Sequence, residues 1–218
     1  MACVVQRLGL IDYEEAYHRQ RELIRQRLDG EIEDTLLLLE HPPTITIGKS
    51  GSLENVLAPQ EQLIKEGVSL FFTDRGGDVT YHGPGQLVVY PIIDLRNRGR
   101  DIHRYVNELE EVVIRTLADF SIAANRDGNH AGVWVKEAEI AAIGLSVKRW
   151  ITMHGIALNV NSNLEHFGLI NPCGFTDRTA TSMARLLGRE IAIEEVAQHL
   201  VTHFSEVFGF NIEYGGQL

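Results

Sequence analysis

Arg75-Gly76-Gly77-Asp78-Val79-Thr80-Tyr81-His82-Gly83-Pro84-Gly85-Gln86 is the stretch on which the reading of this chain turns. It is too rich in glycine and too long for a simple turn. Gly76, Gly77, Gly83 and Gly85 remove side chains from a short path, so a ligand can lie against the backbone with amide N–H groups donating to it. Arg75 and His82 offer polar contacts at its ends. A flexible hairpin whose glycines only serve left-handed positions is the competing reading. No Gly-Lys-Ser/Thr follows, so the stretch is not a P-loop. No G-x-G-x-x-G opens a helix, so it is not a dinucleotide fingerprint.

A second stretch, Ile170-Asn171-Pro172-Cys173-Gly174, carries one of the chain's two cysteines. A thiol between proline and glycine sits on bent backbone, presented rather than packed, and reads as a nucleophile. The two stretches together point to acyl transfer. Cys3, in the first apolar run, reads as a core thiol.

Outward from these stretches, Val4–Leu8, Leu36–Leu39, Thr44–Ile47, Val68–Thr73, Leu87–Ile93, Gly132–Val135, Ile140–Val147 and Thr152–Val160 read as strands. Asp12 with Glu15 resembles a capping box, opening a helix that stops at Gly30. Further helices are expected over Pro59–Glu66, Asp101–Phe120, Ser182–Leu187 and Ile193–Phe208, with Leu164–Gly174 irregular. A turn over Lys136–Glu139 joins two of the strands. Many strands with a few irregularly placed helices imply an α+β fold with a mixed, mostly antiparallel β-sheet flanked by helices. We read residues 1–218 as a single catalytic domain.

Apolar content of 44% and charged content of 23% fit a globular chain, and a net charge of −10 argues against nucleic acid as the main ligand. Two cysteines give no disulfide framework, so a cytoplasmic location is expected. No apolar run approaches the ~20 residues of a membrane span, and no signal-like segment opens the chain, so no membrane partner is expected. Nine histidines invite a metal, but no H-E-x-x-H and no Cys/His cluster at ligand spacing is present, so none is expected.

The glycine stretch resembles the signature of the lipoate–biotin protein ligase fold. Gly132-Val133-Trp134-Val135, Ile140-Ala141-Ala142-Ile143-Gly144 and His154-Gly155-Ile156-Ala157-Leu158-Asn159-Val160 are similar to the family's motifs in the same order. Asn171-Pro172-Cys173-Gly174 narrows the resemblance to lipoyl(octanoyl) transferases, over about Gly9 to Phe208. It implies transfer of an octanoyl (or lipoyl) group from acyl carrier protein to a lysine of lipoyl domains, in 2-oxo-acid dehydrogenases and the glycine cleavage H protein. The implied route is a thioester at Cys173, with no cofactor. Arg75, Gly76, Gly77, Asp78, Val79, Thr80, Tyr81 and His82, with Ala142, Ile143, Gly144, Gly155, Ile156 and Ala157, would line the acyl pocket. From the residues alone, close strand–helix packing is the preferred reading of the small residues Ala142, Gly144, Gly155 and Ala157. His82 and His154 would hydrogen-bond pocket backbone, and the remaining histidines read as exposed or structural.

The chain departs from the family at Glu139, where the resemblance places a lysine. A cation there would favour the Cys173 thiolate, whereas a carboxylate disfavours it. Lys136, read as the cross-strand partner of Glu139, is one substitute; Lys148 or Arg149 is another. An impaired form, deliberate or natural, also accounts for it, as does a plain Lys136–Glu139 ion pair on the surface. Against octanoyl transfer stand an ATP-dependent lipoate ligase, which has no need of Cys173, and a non-catalytic acyl-binding homologue, which Glu139 favours. Arg96, Arg98, Arg100 and Arg104 form the densest basic segment, suited either to steering an acidic carrier or to a solvated loop.

Overall fold

A computed structural model describes residues 1–128, 130–171 and 179–215 of the chain. In chain order the elements are β1 (Ala2–Leu10), α1 (Tyr13–Asp29), β2 (Asp34–Glu40), β3 (Thr44–Ile47), α2 (Gln60–Lys65), β4 (Ser69–Phe72), β5 (Val79–His82), β6 (Gln86–Ile92) and α3 (Ile102–Asp119). They continue with β7 (Asn125–Arg126), β8 (Gly132–Val135), β9 (Ala138–Lys148), β10 (Ile151–Asn159), β11 (Thr179–Ala180), α4 (Met183–Leu187), α5 (Ile193–Phe208) and β12 (Asn211–Tyr214). The large sheet runs β12-β1-β2-β6-β10-β9-β8-β7, with β11 beside β9, and a second sheet runs β4-β3-β5. Pairing is antiparallel from β2 through β7 in that order and between β3 and β5. It is parallel where β1 meets β2 and β12, where β3 meets β4 and where β11 meets β9. The expected α+β class holds, with two sheets in place of one.

The continuous apolar run of β2 is explained by its central place. Leu36 and Leu38 face a core shared with α3 and α5, while Leu37 and Leu39 face α1. A third core, with Ile45, Ile47, Val79 and Tyr81, fills the small sheet. At ~25 cal/mol per Å2, each such fully buried aliphatic side chain stabilises by about 1.5–3 kcal/mol.

Three local expectations are corrected. Asp12 is the N-cap of α1, but its side chain makes no capping bond, so there is no capping box; Gly30 does close the helix, with φ 74° and its N–H on the Arg27 carbonyl. The glycine stretch is not one loop, because Val79–His82 forms β5, whose buried Val79 and Tyr81 supply the alternation that pairs it with β3. The turn after β8 is Lys136–Glu137 alone: Val135 pairs with Ala138 and Trp134 with Glu139, so Lys136 and Glu139 are not cross-strand partners.

Candidate functional site

A cavity of about 460 Å3 lies between the two sheets, within the ~300–1,000 Å3 usual for small-molecule sites. The Arg75–His82 segment forms one wall, β9 and β10 the other, and Tyr13, Tyr90, Ile102 and Val106 close it. Every expected pocket residue lines it except Tyr81, which alternation along β5 turns into the core of the small sheet. Tyr13, Tyr90, Ile102, Val106, His130, Ala131 and Leu145 were not anticipated. All but Leu145, which follows the Ile140–Gly144 motif on β9, come from α1, β6, α3 and the approach to β8, where no local motif marks them.

Side-chain polar bonds position the segment. The Arg75 guanidinium donates from Nε and Nη2 to Thr46 Oγ1 at 3.1 and 2.9 Å, and from Nη2 to the Thr46 carbonyl at 2.8 Å. Gly76 N donates to the Leu145 carbonyl at 2.7 Å, which ties the segment to β9. Val79 N donates to Asp78 Oδ1 at 2.8 Å. The amides of Gly76 and Val79 are therefore engaged within the protein rather than open to a ligand. Gly48 allows this close approach, because a Cβ there would collide with the Gly77 carbonyl.

His82 is buried. Gln86 Nε2 donates to the Tyr81 carbonyl and to Asn159 Oδ1, leaving Gln86 Oε1 to accept from His82 Nδ1 at 2.8 Å. Burial holds the imidazole pKa well below its ordinary value, aided by the neighbouring His41. His154 donates from Nε2 to Asp74 Oδ1 at 2.9 Å. Burial lowers its pKa more than Asp74 raises it, and the hydrogen bond from His154 in turn holds Asp74 below the usual carboxylate range. Both histidines thus bond side chains and not, as expected, pocket backbone. His154 Nδ1 is buried without a hydrogen-bond partner among the described residues, and its φ of 58° is left-handed within a strand.

On β9 and β10 close packing accounts for the glycines that line the cavity. A Cβ on Gly155 would overlap the Val89 carbonyl and Pro91, and one on Gly144 would press on Arg75 Cδ at 3.2 Å. Between Glu139 and Ala142 the ladder slips: Val133 pairs with Ala141 and Trp134 with Glu139, so Ile140 is an extra residue, a β-bulge. Ile140 and Ala141 consequently both turn into the α3–α5 core, and Glu139 joins Ala142 and Gly144 on the cavity wall. Lys136, in the turn with φ 55°, does not line the cavity, and Lys148 lies at the opposite end of β9, nine residues and about 30 Å from Glu139.

Cys173 lies outside the described residues. The chain on either side of residues 172–178 is placed: Asn171 N donates to the Asn55 carbonyl, and Asn55 Nδ2 donates to Asp78 of the cavity wall. Thr179 and Ala180 pair with Ala138 and Glu139. Both flanks therefore stand at the Asp78–Glu139 end of the cavity. Cys3 is the core thiol expected, pushed up to about 12 by burial. Among the described residues no cluster of metal-ligating side chains occurs, and no helix is long and apolar enough to cross a membrane.

A two-sheet α+β domain with a glycine-walled cavity between the sheets defines a class that comparison with known proteins identifies. The model of the lipoyl protein ligase A/B catalytic domain matches residues 12–205, and the chain belongs to that family. An octanoyltransferase of Desulforamulus reducens is 47% identical, over 98% of this chain and 94% of its own. An octanoyltransferase of Caldicellulosiruptor bescii is 52% identical, over 96% and 93%. Among solved structures, the bipartite lipoate protein ligase of Thermoplasma acidophilum superposes with a TM-score of 0.71 over 99% of this chain and 88% of its own, at 17% identity, a likeness of fold.

Proposed function

We propose that this chain is an octanoyltransferase of protein lipoylation, taking its acyl group from octanoyl-acyl carrier protein and passing it to a lysine of a lipoyl domain. The observation that carries the reading is the match, near half identity and almost end to end, to octanoyltransferases. The cavity adds physical support: a slot walled by Gly76, Gly77, Ala142, Gly144, Gly155 and Ala157 suits an unbranched acyl chain.

Cys173 is the nucleophile in this reading. Its thiolate attacks the donor carbonyl, the carrier C–S bond breaks, and the carrier thiol leaves with a proton. The neutral amine of the acceptor lysine then attacks the enzyme thioester; an amide forms and the Cys173 thiol is released. Thioester exchange is nearly isoenergetic, so neither ATP nor a cofactor is called for. The cytoplasm, where thiols stay reduced, suits such a nucleophile.

The test is transfer from octanoyl-carrier protein to a lipoyl domain, with and without ATP and magnesium. Equal transfer is expected, with a hydroxylamine-sensitive acyl label on the Cys173 peptide that is lost in Cys173→Ser. Strict dependence on ATP with free octanoate as donor would make the chain a lipoate ligase. Binding of donor without transfer would make it a non-catalytic homologue.

A further inference from the structure

We propose that Arg100, Lys148 and Arg149, grouped around Trp150, form the surface on which the acidic carrier protein docks to deliver its acyl group; the inference rests on the octanoyl-transfer reading. The arginine-rich segment itself is mostly neutralised. Arg96 is held by Asp94 at 2.7 Å, while Arg98 and Arg104 both pair with Glu108, at 3.3 and 2.8 Å. Arg100, Lys148 and Arg149 are exposed and pair with no carboxylate among the described residues. On a chain of net charge −10 they make a local reversal of sign.

The reversal is built into the backbone. Arg149 (φ 51°) and Trp150 (φ 69°) form the β9–β10 turn in left-handed conformations that usually select Asn-Gly. Arg100 is also left-handed, at φ 53°, and its guanidinium lies 6.0 Å from the centre of the Trp150 ring. Leu95 N donates to the Trp150 carbonyl at 2.8 Å and Arg100 N to the Leu95 carbonyl at 3.0 Å, so the two turns form one unit. Ile102, two residues beyond Arg100 and 41% exposed, lines the acyl cavity, as does Leu145, three residues before Lys148. A carrier held here would stand on the Leu145 side of the cavity, at the opposite end of β9 from Glu139. Complementary charge across such a surface acts on encounter rate and orientation more than on chemistry.

The test compares the wild type with the triple variant Arg100→Glu/Lys148→Glu/Arg149→Glu, using octanoyl-carrier protein and a small octanoyl thioester as donors, with carrier binding measured separately by titration. The carrier Kd and KM should rise about tenfold or more at low salt, and their salt dependence should flatten. The kcat, the small-thioester kcat/KM and the acceptor KM should not change. An unchanged carrier Kd, or a rise in the acceptor KM alone, overturns the proposal. If wild type binds carrier but transfers from neither donor, the reading of the activity fails while the surface is still judged by the binding arm. Should the triple variant misfold, the single change Lys148→Glu, at an exposed position, answers the same question with a smaller rise.

Discussion

Glu139 stands opposite Trp134 in the β8–β9 ladder, and the bulge at Ile140 turns it onto the face that Ala142 and Gly144 present to the cavity. Strict alternation would have put residue 139 with Ala141, in the apolar core. The carboxylate is thus brought by a local irregularity to the end of the cavity where both flanks of the Cys173 segment stand.

Glu139→Lys should raise octanoyl transfer and lower the apparent pKa of Cys173 alkylation. One pKa unit corresponds to about 1.4 kcal/mol, so even a screened reversal is measurable by the pH dependence of iodoacetamide labelling. Lys136→Ala, at a turn position outside the cavity, should leave transfer within about twofold. An unchanged alkylation pKa in both variants would sever residue 139 from the thiol.

Gly155→Ala should destabilise the fold before it touches the chemistry. The added Cβ meets backbone at Val89 and the Pro91 ring at 2.6 Å, neither of which can swing aside. A loss of about 1–3 kcal/mol is expected by denaturant titration. Gly144→Ala, whose Cβ would stand 3.2 Å from Arg75 Cδ and 3.3 Å from the Gly76 carbonyl oxygen, should cost less because it needs only a few tenths of an ångström of give.

Stability should fall with pH below about 6.5. Burial lowers His41 to about 4 and holds His82 well below its ordinary value, so both stay neutral in the folded state while the unfolded chain takes up protons near pH ~6.5. Their contribution is whole above that pH. It is lost as pH falls, at about 1.4 kcal/mol per unit for each histidine, and levels off for His41 near 4. His41→Gln should flatten the slope measured between pH 6 and 5 by about that amount; an unaltered slope would mean that His41 titrates in the fold.

Native alkylation should mark Cys173 and spare Cys3. The Cys3 thiol is fully buried in β1 and raised to about 12, so its label should emerge only with global unfolding, as read by mass spectrometry across a urea series. Label on Cys3 in the native protein would contradict its place in the core.

The sequence carried the fold class well because its central strands are strongly apolar: Leu36–Leu39 could hardly be anything but buried. The small sheet was legible only in part. Val79–His82 is short and framed by glycines, so its alternation was masked by the loop around it. β12, at the sheet edge with Asn211, Glu213 and Tyr214 exposed, offered only Ile212 as a core-facing apolar residue, too short an alternation to stand out. At the site, the motifs located both walls, but the position of Glu139 depends on the bulge at Ile140, and nothing in Glu139-Ile140-Ala141 announces an extra residue. The cations fared similarly. Arg96 to Arg104 stood out as a run, yet Asp94 and Glu108 neutralise most of it, and Lys148 and Arg149 join Arg100 only through tertiary contact.

The two sheets are pinned at both ends of the slot between them. At one end His82 and the Tyr81 carbonyl are bonded to Gln86; at the other, Gly76 is bonded to Leu145 and Asp74 to His154. Jaws fastened at both corners cannot gape. On the octanoyl-transfer reading, an acyl chain in that slot would lie along its length between the two fastened ends rather than enter by a parting of the walls.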